Sequence, residues 1–363
     1  MTESPSTRSL EDRGAVADQN ARAEGEAVSR SVDSRAAPSG RSGGRLRSFW
    51  DPIELSERYG ILVLWGIIVL VFSLLRPETF PTSANFETIF GTQSVQLVIT
   101  LGLIVSLTAG EFDLSVASVM GFAATMVAFL NVNHHWAIVP AILATLATGL
   151  VIGGLNAFLV VRIGVSSLIV TLGMGTFLSG LGYGISNSVT IGGISQHLIN
   201  AMQDSFLGLP IAFYIGVAFC IVLWYMLGYT PLGRHLLFVG EGRDVARLAG
   251  LRVNEMRTLA LMTTTIICTV AGIMQAGVVG AADPGGGPPY LLPAFAGAFL
   301  GQTVINPGRF SPWGIFVATY FLVTGITGLQ LLGAQGWVQD VFYGGALMIA
   351  VTLARLAARR RRA

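Results

Sequence analysis

Two carboxylates, Glu111 and Asp113, stand two residues apart in a stretch otherwise built from apolar residues, Gly, Ser and Thr. In a membrane an unpaired charge costs about 3 kcal/mol or more, so each must be paired, capped or hydrated. Asp113 comes two positions before Ser115 at the start of an apolar run, which is the placement of a helix N-cap. A metal or proton site, and a part in shaping the inner mouth of a translocation pathway, are further readings of Glu111, Asp113 and Ser115. The histidines carry less. His134 and His135 are adjacent, a spacing that points side chains apart on a helix, while His197 and His235 are isolated. Cys220 and Cys268 lie in long apolar runs and read as packing residues, with no disulfide framework or zinc site. No nucleophile and base form a constellation for an integral membrane enzyme.

The elements that must position these groups follow from composition. Of 363 residues, 52% are apolar before the 45 glycines are counted and 12% are charged, against about 25% charged in a soluble domain. Such a chain has too little polar surface to face water on all sides. The 22 basic side chains are all arginine. Without lysine there is no Walker A phosphate loop and no Schiff base, so the chain cannot power itself by its own P-loop ATPase. A net charge of +2 gives no reason to expect nucleic acid, and the basic run Arg359, Arg360, Arg361 and Arg362 reads as a topology signal.

Residues 1–50 hold eight arginines and seven acids among Ser, Gly and Ala, and cannot bury a core. They read as a disordered tail, and they lack the apolar core of a signal peptide, which places this end inside the cell. Beyond them, 48, 41 and 29 consecutive residues carry no Asp, Glu or Arg, where a membrane helix needs about 20 apolar residues. Breaks at polar, Gly and Pro clusters predict ten spans, near 57–75, 90–109, 115–130, 136–161, 166–187, 209–229, 258–281, 290–305, 311–332 and 338–357. Arg234, Arg243, Arg247, Arg252 and Arg257 fall between the sixth and seventh, so that loop belongs inside, and counting outward puts both termini inside too. The third and eighth spans are about 16 residues each, short for a bilayer. They lie five spans apart and follow the broken segments Gly110–Ser115 and Asp283–Pro289. Interrupted segments at matching positions are a pointer to a transport site in inverted repeats, although no sequence identity joins the halves; short helices buried among longer ones fit equally well.

Apart from helix ends the spans hold no Asp, Glu or His, which weakens a proton-coupled carrier. The most polar stretch is 231–257. Within it Arg243–Arg257 reads as a short helix, a glycine break and a second helical start, with Asp244, Leu248 and Leu251 recurring at helical spacing. One apolar stripe on a short charged helix suits docking into a groove of another protein; a solvated loop whose arginines only fix topology is the other reading.

These residues resemble the membrane permease subunits of bacterial ABC importers for ribose, xylose, autoinducer-2 and related monosaccharides. The resemblance runs from about Phe80 to Ala354. The segment around Asp113, Leu114, Ser115 and Val116 is similar to the family's Gly-Gly-Ile-Asp-Leu-Ser-Val-Gly-Ser signature, with Ala117 replacing a glycine. Ile169, Thr171, Leu172 and Gly173 match a Pro-x-Phe-Ile-x-Thr-Leu-Gly stretch in which Ser166 replaces proline. Ala246, Arg247, Leu248 and Gly250 match the segment that packs on the ATPase subunit, and the stretch from Thr327 resembles the usual ending. Near Tyr290 two acids of the family pattern are lost, and Gly301 is followed by Gln302.

The resemblance implies an all-α polytopic permease of about ten (eight to ten) transmembrane helices over 51–357 in the bacterial plasma membrane, with cytoplasmic tails at 1–50 and 358–363. It implies that this chain is no enzyme, binds no cofactor and no metal, and uses ATP only through a partner. The expected partners are a cytoplasmic ABC ATPase, an extracytoplasmic sugar-binding protein and a second permease chain, identical or not; no nucleic acid is expected. Asp244, Arg247, Leu248 and Gly250 are expected at the ATPase contact, Glu111, Asp113 and Ser115 at the inner gate, and Asn156, Thr171, Tyr290 and Gln302 along the sugar path. The alternative is a carrier or facilitator that needs no ATPase.

Overall fold

The computed structural model describes residues 52–305 and 308–360. The expected tail over 1–50 and the last arginines of the basic run lie outside the described residues. The helices, in order, are α1 (Pro52–Leu75), α2 (Ser83–Thr92), α3 (Ser94–Thr108), α4 (Val116–Ala128), α5 (Ile138–Ala157), α6 (Ser167–Ile185), α7 (Gln196–Gln203), α8 (Ile211–Tyr229), α9 (Pro231–Glu241), α10 (Arg243–Leu248), α11 (Val253–Val279), α12 (Leu291–Gly301), α13 (Pro312–Leu331) and α14 (Gly336–Arg360). Two minimal antiparallel ladders complete the set, β1 (Ile191–Gly192) with β4 (Ala281–Ala282), and β2 (Ser205–Phe206) with β3 (Leu209–Pro210).

The chain is an all-α polytopic membrane protein. The expected spans overlap helices, that near 90–109 straddling α2 and α3, and seven helical runs among the described residues, against the ten spans expected, are long and apolar enough to cross a membrane. Local chemistry sets many boundaries. The Thr82 hydroxyl accepts the Asn85 N–H at the start of α2, and Thr230 accepts from Gly233 ahead of α9, whose first residue is Pro231. Gly280, at φ +73, ends α11 in the left-handed conformation.

The two spans expected to be short part ways. A π-turn (Phe129–Asn133) extends α4 so that the third span runs 18 residues, Val116–Asn133, about 27 Å at 1.5 Å per residue. The eighth is shorter than expected: α12 has 11 residues, about 16 Å. The reason is the segment before it. After β4 the chain turns at Asp283, whose Oδ1 accepts the Gly285 N–H at 2.9 Å, and then runs beside α4 instead of entering a helix. A Cβ on Gly287 would lie 2.6 Å from the Ala117 carbonyl oxygen, so only glycine permits this approach. Irregular backbone is tolerated at membrane depth only where protein covers it or a cavity receives it.

All 15 residues of α3 are buried. Around it pack α8, α11, α12 and α13, and α11 also packs along α4 and α5. Small residues make the closest crossings: a Cβ on Gly272 of α11 would meet the Met120 carbonyl of α4 at 2.2 Å. Close backbone approach through Gly is how apolar helices gain contact where lipid offers no hydrophobic drive.

Candidate functional site

The turn Gly110–Ser115, between α3 and α4, gathers most of the buried polar chemistry. Gly110 takes φ +75, and the Glu111 N–H returns to the Ser106 carbonyl at 2.9 Å. The Glu111 side chain is 1% exposed, yet it is not alone. Its Oε1 receives Nη2 of Arg243, the first residue of α10, at 2.8 Å and also Nε of Arg257, near the start of α11. Arg243 Nη2 donates further to the Gly110 carbonyl at 3.2 Å. Two guanidinium groups on one carboxylate offset the desolvation that would otherwise exclude a buried acid.

Asp113 is buried as well. Its Oδ1 accepts the Ser115 N–H at 2.9 Å and the Ser115 hydroxyl at 2.6 Å. The expected cap is thus displaced: Ser115 occupies the N-cap position of α4, and Asp113 folds the backbone into it through a two-residue turn. Asn156 of α5 donates Nδ2 to the Ser115 hydroxyl at 3.2 Å. Thr171 of α6 accepts the Leu114 N–H at 2.9 Å and donates to the Ser167 carbonyl at 2.7 Å. The turn is therefore bonded to α5 and α6 by side chains far apart in sequence. Asp113 Oδ2 and Asn156 Oδ1 are buried without a hydrogen-bond partner. Burial pushes the Asp113 carboxyl above its ordinary range, against the lowering effect of the Ser115 bonds. Among the described residues no three metal-ligating side chains cluster.

On the other side of the turn lie α9 and α10. A Cβ on Gly240 would stand 2.1 Å from the Thr108 carbonyl, so α9 meets the end of α3 backbone to backbone. Short helix α10 matches the sequence expectation of a helix, then a break at Gly250 (φ +81), then a second helix. The expected stripe is altered, however. Leu251 turns inward and packs with Val239, Ala246 and Val253, while Leu248 is 90% exposed beside exposed Val245. Asp244 and Arg247 pair across one turn at 3.8 Å, both at the surface.

The expected site residues thus fall into groups. Glu111, Asp113, Ser115, Asn156 and Thr171 come together at one turn. Asp244, Arg247, Leu248 and Gly250 form a neighbouring surface. Tyr290 and Gln302 stand at opposite ends of α12: the Tyr290 hydroxyl donates to Gln275 Oε1 at 3.3 Å, and Gln302 Nε2 donates to the Gly308 carbonyl at 3.4 Å. Arg243 and Arg257 escaped the sequence reading as site residues, since they served there only as topology marks. The signal that could have found them was the requirement that Glu111 be paired. Thr264 of α11 was also missed. Its hydroxyl accepts the Ser106 N–H at 3.1 Å and donates to the Gly102 carbonyl at 2.9 Å, entering the backbone ladder of α3.

Residues 85–352 match the family described as "Branched-chain amino acid transport system / permease component". The chain is 27% identical over 308 residues to the D-allose transport system permease protein AlsC of Escherichia coli (strain K12), covering 85% of this chain and 93% of that one. It is 27% identical over 342 residues to the L-arabinose ABC transporter permease protein AraH of Azospirillum brasilense, covering 93% and 96%. With the ribose import permease protein RbsC of Escherichia coli (strain K12) it shares 28% identity over 318 residues, 84% and 95% of the two chains. No solved structure matches it.

Proposed function

Since the chain belongs to the permease-component family of branched-chain amino acid transport systems, we propose that it is the membrane subunit of an ABC importer for a monosaccharide. Relatives named for allose, arabinose and ribose support a sugar. So does the chemistry: among the described residues the charges sit at helix ends, in connecting turns and loops and at Glu87 of short α2, and the middles of the long spans carry no Asp, Glu or Arg to fix an amino acid's carboxylate and ammonium. A hydroxylated neutral solute needs hydrogen-bond partners and apolar walls instead.

The observation that carries the reading is α10. It is a six-residue helix that offers Leu248 and Val245 outward while its own root is fixed against the buried turn. That is the form of a knob for a groove on a cytoplasmic ATPase, which would bind and hydrolyse the ATP. With α10 on the cytoplasmic face, counting ten crossings places both termini there, and the α7 and β1–β4 end faces the binding protein. The broken segment before α12 and the turn before α4 occupy matching places in two inverted halves of five. A second permease chain would cover the open face of α6, where Ile169, Leu172, Gly173, Thr176, Phe177 and Gly180 border a groove of about 740 Å³. Of the sugar-path candidates, Asn156 and Thr171 serve by shaping the inner turn.

Proteoliposomes test the reading. ATP-dependent uptake should require this chain, the ATPase and the binding protein together; uptake by this chain alone would establish an independent carrier and overturn it. Leu248→Asp should abolish ATP-driven uptake while the chain still reaches the membrane, and full uptake in that variant would remove α10 from the ATPase contact.

A further inference from the structure

We infer that Glu111 is a positioning residue for coupled transport: through Arg243 it fastens the root of α10, and through Arg257 the start of α11, to the turn that begins α4. The inference rests on the reading of α10 as the ATPase contact.

The Glu111 side chain has no part in making the turn. Its backbone N–H closes the turn on Ser106 whatever side chain it carries, and the cap-like bonding into α4 belongs to Asp113 and Ser115. What the carboxylate does is to hold two cations from two elements, residues 132 and 146 positions away. Without it, Arg257, 13% exposed, would be left a largely buried and unpaired charge.

The backbone joins α10 to α9 and α11, and its packing is apolar, Ala246 against Val239, Leu251 and Val253. Neither ties α10 itself to the Gly110–Ser115 turn, so a pull on α10 reaches that turn directly only through a side-chain bond. The Arg243–Glu111 pair and the Arg243–Gly110 bond are the charge-assisted ones in that place. Past Glu111 the turn is bonded to α6 through Thr171 and to α5 through Asn156. A displacement of α10 is thereby delivered to three helices at once.

The test uses the full assembly of permease, ATPase and binding protein in proteoliposomes. D-allose, L-arabinose and D-ribose serve as labelled probes, and uptake is divided by ATP hydrolysed in the same vesicles. Glu111→Gln and Arg243→Gln should each lower sugar moved per ATP about tenfold, and Arg243→Lys should restore most of it. A residue that only stabilises the fold would lower the amount of assembled transporter and leave the ratio intact. An unchanged ratio in either assembled neutral variant overturns the inference. Should Glu111→Gln fail to assemble, Arg243→Gln decides, since that side chain is 43% exposed and its loss leaves no buried vacancy. If wild-type vesicles show neither ATP-driven uptake of any probe nor ATP hydrolysis that depends on this chain, the ATPase reading falls and takes this inference with it, an outcome read from the wild-type arm alone.

Discussion

Helices α3 and α6 both reach the Gly110–Ser115 turn, and both are apolar on every face, yet they live in different surroundings. The most apolar part of the α2–α3 run is 78% buried inside the chain; that of α6 is 22% buried. Their small and hydroxyl residues show what the difference means. In α3, Gly102 sits against Ile267 and Cys268, and the last turn is entered by the Thr264 hydroxyl. In α6, Gly173, Gly180 and Gly184 have nothing within 4 Å of where a Cβ would be, and Thr176 bonds only its own helix at Leu172. Hydropathy registers that a helix leaves water, and is silent on whether it leaves for protein or for lipid. The polar and small residues decide that, by having partners or lacking them.

Substitutions at matched positions break the comparison if it is wrong. The largest contrast is expected at glycine. Gly102→Leu forces a branched side chain against atoms about 3.1 Å from the Cβ position and should cost about 3 kcal/mol, seen as a fall in the melting temperature of the detergent-solubilised chain. Gly184→Leu, outside the α6 groove and with nothing within 4 Å of its Cβ position, should leave it within the small range of surface changes, about 0.5 kcal/mol. Next come the threonines. Thr264→Val strips the partner from the Ser106 N–H and the Gly102 carbonyl and should cost about 1–2 kcal/mol, whereas Thr176→Val should be near neutral; equal losses would mean that the α3 ladder closes by itself. The smallest effect belongs to the turn that joins the two helices. Because the fold raises the Asp113 carboxyl above its unfolded value, it favours the protonated form; stability is lost as pH rises from about 4 through the raised value. Asp113→Asn removes that loss, so its melting temperature should exceed the wild type's at pH 7 and converge on it at acid pH. A wild type more stable than the variant at pH 7 would show that the Ser115 bonds outweigh burial.

Much of this architecture could be read in advance, because it is written in local signals. Runs without charge located the helices, and Gly250 marked the break after α10. Signals of long range were illegible. Nothing near Glu111 in sequence announces Arg243 or Arg257, and the arginines themselves were explained well enough by topology. Leu251 continued a helical period on paper, but Gly250 reverses the chain before it and sends the side chain inward. The depth of the segment 283–289 was hidden for another reason. Its Gly and Pro residues forbid a long helix without saying whether the chain stays at the rim or descends; the fit of Gly287 against Ala117 settles that.

The β1–β4 ladder, only two residue pairs long, then acquires a meaning beyond tying two loops. It joins the stretch leading to α7 to the stretch that descends along α4, and the descent ends at Ala117, two residues past Ser115. The start of α4 is therefore held from one side by the turn that binds α10, and along its first turns by a segment laced to the loop before α7. A push on the α10 loop and a push on the β1–β4 ladder therefore arrive at the same short stretch of chain, with five residues, Phe112 to Val116, between the two points of contact.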